Sequence, residues 1–231
     1  MALECKDLGF YYERNAWIFQ NLNITVREGT VFGIAGNSGC GKTSLSKVLA
    51  NHLRPCAGEI LIDGENTAQK ERKGTCCFWP VQLIYQHPEK AVNPKWKIEK
   101  IIKESYEPSA ELLERFGIRD EWLHRFPIEL SGGELQRCLI VRALHPQVRY
   151  LIADEMTTML DAVTQALIWK ELLAVTKQRN CSSSAMNKAL SKNSAPSICT
   201  CRITLHSFDL FAEADWRTDY ALQFLSVFLL L

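Results

Sequence analysis

The stretch Gly36-Asn37-Ser38-Gly39-Cys40-Gly41-Lys42-Thr43 fits the pattern G-x-x-x-x-G-K-[ST] in full. The apolar run Val31 to Ala35 precedes it, and a helix-compatible run, Ser44 to Leu53, follows. Strand, glycine-rich loop and helix in that order are the context a phosphate-binding loop requires. The glycines let the backbone wrap a polyphosphate, so that successive N–H groups and a helix N-terminus point at the anion. In such a loop Lys42 reaches the β- and γ-phosphates and the Thr43 hydroxyl holds Mg²⁺. A glycine-rich turn that binds nothing is the alternative. Eight matched positions in the right context weigh against it.

Around the loop the chain alternates strand and helix signals. Leu22-Asn23-Ile24-Thr25-Val26 alternates apolar and polar residues, and Arg27-Glu28-Gly29 turns the chain toward the loop. Residues 1 to 35 thus read as short strands. Glu59 to Gly64 reads as a strand ending in a turn, and Val81 to Tyr85 as an apolar strand stopped by Gln86-His87-Pro88. From Ile98 to Leu144 the texture is helical: Ser109 to Phe116 is amphipathic with Gly117 placed to stop it, and Gly133 to Leu144 follows Ser131-Gly132. Tyr150-Leu151-Ile152-Ala153 is a short apolar strand ending in Asp154-Glu155. Strands interleaved with helices around a phosphate loop predict an α/β fold with a mostly parallel sheet. The helical block lies between two core strands, so it reads as a subdomain inserted in the core.

Composition narrows the class. Of 231 residues, 47% are hydrophobic and 23% charged, the balance of a globular protein. Lys plus Arg number 27 against 26 for Asp plus Glu, so no nucleic-acid partner is expected. Met1 to Asp7 does not read as a charged-then-apolar leader, and the expectation is a chain without one. The longest apolar end, Phe224 to Leu231, is far shorter than the roughly 20 residues of a membrane span. Nine cysteines at irregular spacing predict free thiols. Cys76-Cys77 and Cys199-Thr200-Cys201 lack the CxxC pairs or clustered His that would complete a metal site.

Four further elements accompany the loop. Leu130-Ser131-Gly132-Gly133-Glu134-Leu135-Gln136-Arg137 resembles the LSGGQ signature of ATP-binding cassette (ABC) proteins. Tyr150 to Glu155 resembles their Walker B strand, Gln86 their Q-loop glutamine, and Leu160-Asp161 their D-loop. Order and spacing match over residues 3 to about 179. The resemblance implies a P-loop NTPase (RecA-like) core, an N-terminal antiparallel β part and an inserted helical subdomain at about residues 88–145. It implies a nucleotide-binding domain over residues 1–179.

The resemblance also implies roles. ATP and Mg²⁺ are the cofactors, held by residues 36 to 44, Ser44 included. Asp154 holds the Mg²⁺ shell together with Thr43 and Gln86, and Glu155 polarises the attacking water as general base, with Lys42 and Gln86 supporting catalysis. Ser131, Gly132, Gly133 and Glu134, with Asp161, meet ATP bound by an opposite protomer in a head-to-tail dimer. Tyr12, ending Leu8-Gly9-Phe10-Tyr11-Tyr12, either stacks on adenine or packs as a strand aromatic. Gln86-His87-Pro88, Val92-Asn93-Pro94 and Arg125-Phe126-Pro127 resemble the ATPase subunits of peptide- and nickel-type importers. Such subunits imply integral membrane partners, a second ATPase subunit (identical or not), an extracytoplasmic substrate-binding protein, and a peripheral place on the cytoplasmic membrane face. A cassette protein acting on ribosomes or DNA, and an ATP-binding remnant unable to hydrolyse, are the rival readings.

The resemblance stops near residue 180. About thirty residues after the catalytic glutamate the family places a buried strand ending in Ser-His-Asp or Ser-His-Glu. Here the chain reads Cys181-Ser182-Ser183-Ser184-Ala185-Met186-Asn187-Lys188, with no apolar strand and no histidine. His206 lies too far on. With TCN codons for the three serines, codons built from the last base of one triplet and the first two of the next run differently. Asn180 into Cys181 gives Leu, and the next three junctions give only Leu, Phe, Ile or Val. Ser184 into Ala185 can give Ser, Ala185 into Met186 can give His, and Met186 into Asn187 gives Glu. The shifted frame therefore can spell Leu-apolar-apolar-apolar-Ser-His-Glu at the required place. One reading is a frame lost near residues 177 to 180, by a genetic event or a sequence error. The other is a divergent functional tail. The lost frame predicts a misfitted tail over 180–231, neighbouring strands left partly exposed, and weak hydrolysis.

Overall fold

The computed structural model describes residues 2–14, 16–27, 31–35, 39–67, 79–154, 156, 160–186, 204–205, 208–209 and 225–230. The N-terminal half begins with β1 (Ala2–Tyr11) and β2 (Trp17–Arg27), which pair antiparallel. They are long strands rather than the short ones the sequence suggests. In β2, Phe19, Leu22, Ile24 and Val26 are buried while Asn23 and Thr25 face out, the period of two that a half-buried strand requires. Asp7 and Asn21 adopt positive φ where the register slips. Those local breaks made one strand look like several.

The slip at Asp7 constrains the next strand. After β3 (Val31–Ala35) and α1 (Lys42–Leu49), β4 (Ala57–Ile62) pairs with β1, and β5 (Glu65–Asn66) pairs with β4. The sheet runs β2-β1-β4-β5. Gly58 has φ +75°, and a Cβ there would lie 2.4 Å from the carbonyl oxygens of Lys6 and Asp7. Both the backbone and the space demand glycine. Gly58→Ala is therefore expected to lower stability by about 2 kcal/mol or more, read from a urea unfolding curve. A loss below about 0.5 kcal/mol, the level of an ordinary surface change, contradicts this account.

The central sheet runs β3-β10-β7-β6, with β6 at Val81–Ile84, β7 at Tyr150–Ala153 and β10 at Leu225–Leu230. β6 and β7 are parallel, while β10 pairs antiparallel with both β3 and β7. Three strands therefore run one way and a reversed strand lies between them. This corrects the mostly parallel sheet: two of its three pairings are antiparallel. It also corrects the exposed edges expected beside a missing strand. β10 pairs with β3 over Leu225–Leu229 and with β7 over Val227–Leu230, so the place is filled.

Between β6 and β7 the chain forms α2 (Ile98–Ile102), α3 (Ala110–Arg115), α4 (Asp120–Leu123) and α5 (Gly132–Ala143). Ser109 caps α3 by accepting from the Leu112 N–H, and Gly117 leaves it at φ +63°. After β7, α6 (Ala162–Met186) continues through the region where the sequence lacks a strand, and β8 (Thr204–Leu205) pairs with β9 (Phe208–Asp209). Two cores meet on the sheet. Tyr150 and Ile152 of β7 pack with Leu3, Ile34 and Leu45, whereas Leu151 and Ala153 pack with Ile98, Trp122, Leu139 and Leu172. A strand buried on both faces explains why β7 reads as an unbroken apolar run.

Candidate active site

The phosphate loop opens directly into α1. Gly36, Asn37 and Ser38 lie outside the described residues. Gly39 (φ +82°) and Gly41 (φ +106°) take left-handed backbone, and Gly41 is the residue before the helix. That backbone turns the first-turn N–H groups of α1 outward, unopposed by any acidic side chain in the first turn. Lys42 is buried and its Nζ approaches the Cys40 Sγ at 4.0 Å. Thr43 is exposed beside it, and Ser44 is buried.

Tyr12 stands just beyond β1 and is 60% exposed. Its hydroxyl lies 3.2 Å from the Ser44 Oγ, and its ring meets Phe10 edge-on at 4.9 Å. An exposed ring tied to the loop helix differs from an aromatic packed into a strand.

The strand ends bring two further candidates together. In the parallel β6–β7 pair, Ile84 is level with Ala153, and the Asp154 N–H donates to the Ile84 carbonyl at 3.2 Å. Buried Asp154 and the segment Tyr85-Gln86 therefore leave the sheet side by side. Glu155 lies outside the described residues. Thr43 hydroxyl and Asp154 carboxylate are hard oxygen donors, and one carboxylate plus a hydroxyl is the sparse protein set Mg²⁺ takes when phosphates complete its shell. No described atom outside its chain neighbours lies within 4 Å of where a Gly39 side chain would begin. Among the described residues no three His, Cys, Asp or Glu converge as a separate metal site.

The signature residues start α5. Ser131 Oγ accepts the Glu134 N–H at 3.3 Å, and Glu134 Oε2 accepts the Ser131 N–H at 2.8 Å, a reciprocal capping box. Ser131 and Gly132 are exposed. A Cβ at Gly133 would start 2.8 Å from the Leu160 Cδ2, so the start of α5 lies against the Leu160 side chain. Asp161 caps α6: its Oδ1 accepts from Val163 and Thr164 N–H groups at 3.1 and 3.0 Å, and its Oδ2 from the Thr164 hydroxyl at 2.6 Å. Thr164's hydroxyl and backbone hold the Asp161 carboxyl below its ordinary value.

The Ser131 backbone N–H likewise lowers the Glu134 carboxyl from its ordinary 4.5. A depressed carboxyl stabilises the fold above the unfolded-state value and ceases to do so as pH falls through the folded one. The melting advantage of the native chain over Glu134→Ala is thus expected at pH 7 and lost on acidification below about 4.5. A difference independent of pH refutes this.

Sequence reading missed one link. Gln136 is buried on α5 and its Nε2 donates to the Tyr85 carbonyl at 3.1 Å. The only local signal was a polar residue on a buried helical face beside Leu135, Leu139 and Ile140.

With this geometry in place, residues 19–158 match the family model described as ABC transporter. The chain belongs to the ABC transporter family. The nickel import system ATP-binding protein NikE of Staphylococcus aureus strain N315 is 32% identical over 187 residues, spanning 75% of this chain and 74% of that protein. An ATP-binding cassette solved as a dimer in a post-hydrolysis state with ADP and Pi shares the fold (TM-score 0.62, 22% identity, 76% of this chain and 83% of that one). So does cbiO1 of Clostridium perfringens, described as part of the ABC transporter complex cbiONQ (TM-score 0.60, 23% identity, 76% and 74%). This chain is accordingly an ATP-binding subunit of ABC transporter type, and its family is one of ATPases. Among the described residues no helix is long and apolar enough to cross a membrane. ABC ATPase subunits of import systems work with membrane-embedded partners.

Proposed function

We propose that this chain drives a peptide- or nickel-type importer by closing head-to-tail around Mg·ATP with a second ATPase subunit. The adjacency of Asp154 and the Tyr85-Gln86 segment at parallel strand ends carries this reading. When bound, Mg·ATP supplies the scissile γ-phosphate and a cation that draws charge from it. The Lys42 ammonium and the loop N–H groups orient the phosphates, while Thr43, Asp154 and Gln86 hold the cation side. Glu155 takes the proton from the attacking water. Ser131, Gly132 and Gly133 present a hydroxyl and backbone N–H groups to the partner's ATP, with Glu134 and Asp161 holding that surface in shape. Tyr12 stacks on the adenine from its place beside Ser44.

The importer type rests on Gln86-His87-Pro88, Asn93-Pro94 and Arg125-Phe126-Pro127, and on the nickel-import relatives. Docking on the membrane subunits through residues 88–145, peripheral attachment at the cytoplasmic face and an extracytoplasmic binding protein belong to the same reading. Sedimentation of Glu155→Gln with and without ATP tests the closure. An ATP-dependent shift from monomer to dimer is expected, and an unchanged mass in ATP rejects it. Co-purification with an integral membrane protein tests the importer assignment.

The tail of residues 180–231 belongs to the lost-frame reading. Its support is topological. The place between β3 and β7 takes a reversed strand, whereas a helix leaving β7 feeds a parallel strand by right-handed crossover. The gene sequence across codons 170 to 190 tests it, since a shifted frame lacking CAT followed by GAA ends the idea.

A further inference from the structure

We infer that Gln136 is a positioning residue for Gln86, acting through the Tyr85 carbonyl. This rests on the reading of Gln86 as facing the nucleotide's cation. The segment Ile84-Tyr85-Gln86 is held from three sides. The Asp154 N–H donates to the Ile84 carbonyl at 3.2 Å, and the Gln136 amide donates to the Tyr85 carbonyl at 3.1 Å. The Tyr85 hydroxyl meets His52 Nδ1 at 2.5 Å, with the two rings stacked 5.7 Å apart. His52 lies just past the end of α1, its N–H donating to the Lys47 carbonyl at 2.8 Å. The last residue before Gln86 is thus tied both to the far end of the phosphate-loop helix and to the helix that the signature begins.

Stability does not account for an amide at position 136. The side chain is buried, and its Oε1 has no hydrogen-bond partner among the described residues. A buried amide with one atom unsatisfied costs more than an apolar side chain of the same size. What the amide contributes is a directed bond to one carbonyl, 51 residues away in the chain, at the point where the nucleotide-sensing loop leaves β6.

The test is a double-mutant cycle read by ATP affinity, measured calorimetrically in Mg²⁺ and in EDTA. Gln86→Ala is expected to reduce the Mg²⁺-dependent gain in affinity by about tenfold, the order of a hydrogen-bonded contact to a charged group. Gln136→Met is expected to reduce the same gain about threefold to tenfold, with affinity in EDTA unchanged within about twofold. The double variant is expected to be no worse than Gln86→Ala alone. Additive losses, an unchanged Mg²⁺ gain, or equal losses in Mg²⁺ and EDTA overturn the proposal. If Gln136→Met fails to fold, Gln136→Leu, which equally removes the donor to the Tyr85 carbonyl, replaces it in the cycle; additivity there overturns the proposal equally. A native chain with no Mg²⁺ gain at all refutes the reading of Gln86 itself, which separates the two failures.

Discussion

Lys42→Ala is expected to weaken ATP binding by about 100-fold while leaving the fold intact. Lys42 is buried at the first residue of α1, between the left-handed Gly41 and the exposed Thr43, with its ammonium near Cys40. A cation in a partly desolvated pocket bonds phosphate oxygens more strongly than it would in water, and charge-assisted bonds of this kind are worth about 1.5–3 kcal/mol each. Losing one or two of them accounts for the 100-fold. Alanine is an excellent helix former, so the start of α1 loses nothing in propensity. Titration with a fluorescent ATP analogue, alongside a thermal melt, is the measurement. An affinity within threefold of the native chain, with an unchanged melt, rules out the phosphate-loop assignment. Arginine is not a safe rescue here, since its planar fork does not replace a compact ammonium beneath a loop.

Much of this site was legible because its chemistry is local. The loop, the strand before it and the helix after it are contiguous, so residue type and spacing suffice. The capping box at Ser131 and Glu134 is equally a matter of four adjacent residues. Gly117 ends α3 for a reason visible in the sequence, namely the left-handed residue that follows a helix. What escaped the sequence was set by distant partners. Gly58 looks like any turn glycine until β4 is laid against the slip at Asp7. Trp122 gives no sign that it will be fully buried under the Arg137 guanidinium, 4.8 Å from its ring. Gln136 shows no partner in the sequence until α5 is packed onto the end of β6 and its amide meets the Tyr85 carbonyl. The sequence points to Asp161 for a place opposite a nucleotide, but its immediate bonds are to the first turn of α6.

Restoring the alternative frame near codons 177 to 180 is expected to raise ATP turnover by about 100-fold, the lower range for one added acid–base or phosphate-contacting side chain. The argument joins a codon reading to a topological one. β3 and β7 run in the same direction and are separated by one strand. A parallel occupant needs a crossover connection, which α6 is placed to supply after β7. In this chain, α6 runs through Asn180 to Met186 and the occupant is β10, reversed and reached only after residues 187–224. A reversed strand can satisfy the backbone of β3 and β7, but it carries no histidine to the strand end that adjoins the phosphate loop. On the lost-frame reading, the shifted frame can spell four apolar residues followed by Ser-His-Glu in that position. Binding should change little, because Lys42, Thr43 and Asp154 are common to both chains, while the rate-limiting chemistry should change greatly. Single-turnover hydrolysis by the two chains, each with Glu155→Gln as its blank, measures the difference. Equal rates would mean that the tail as written already completes the site, and would end the lost-frame reading.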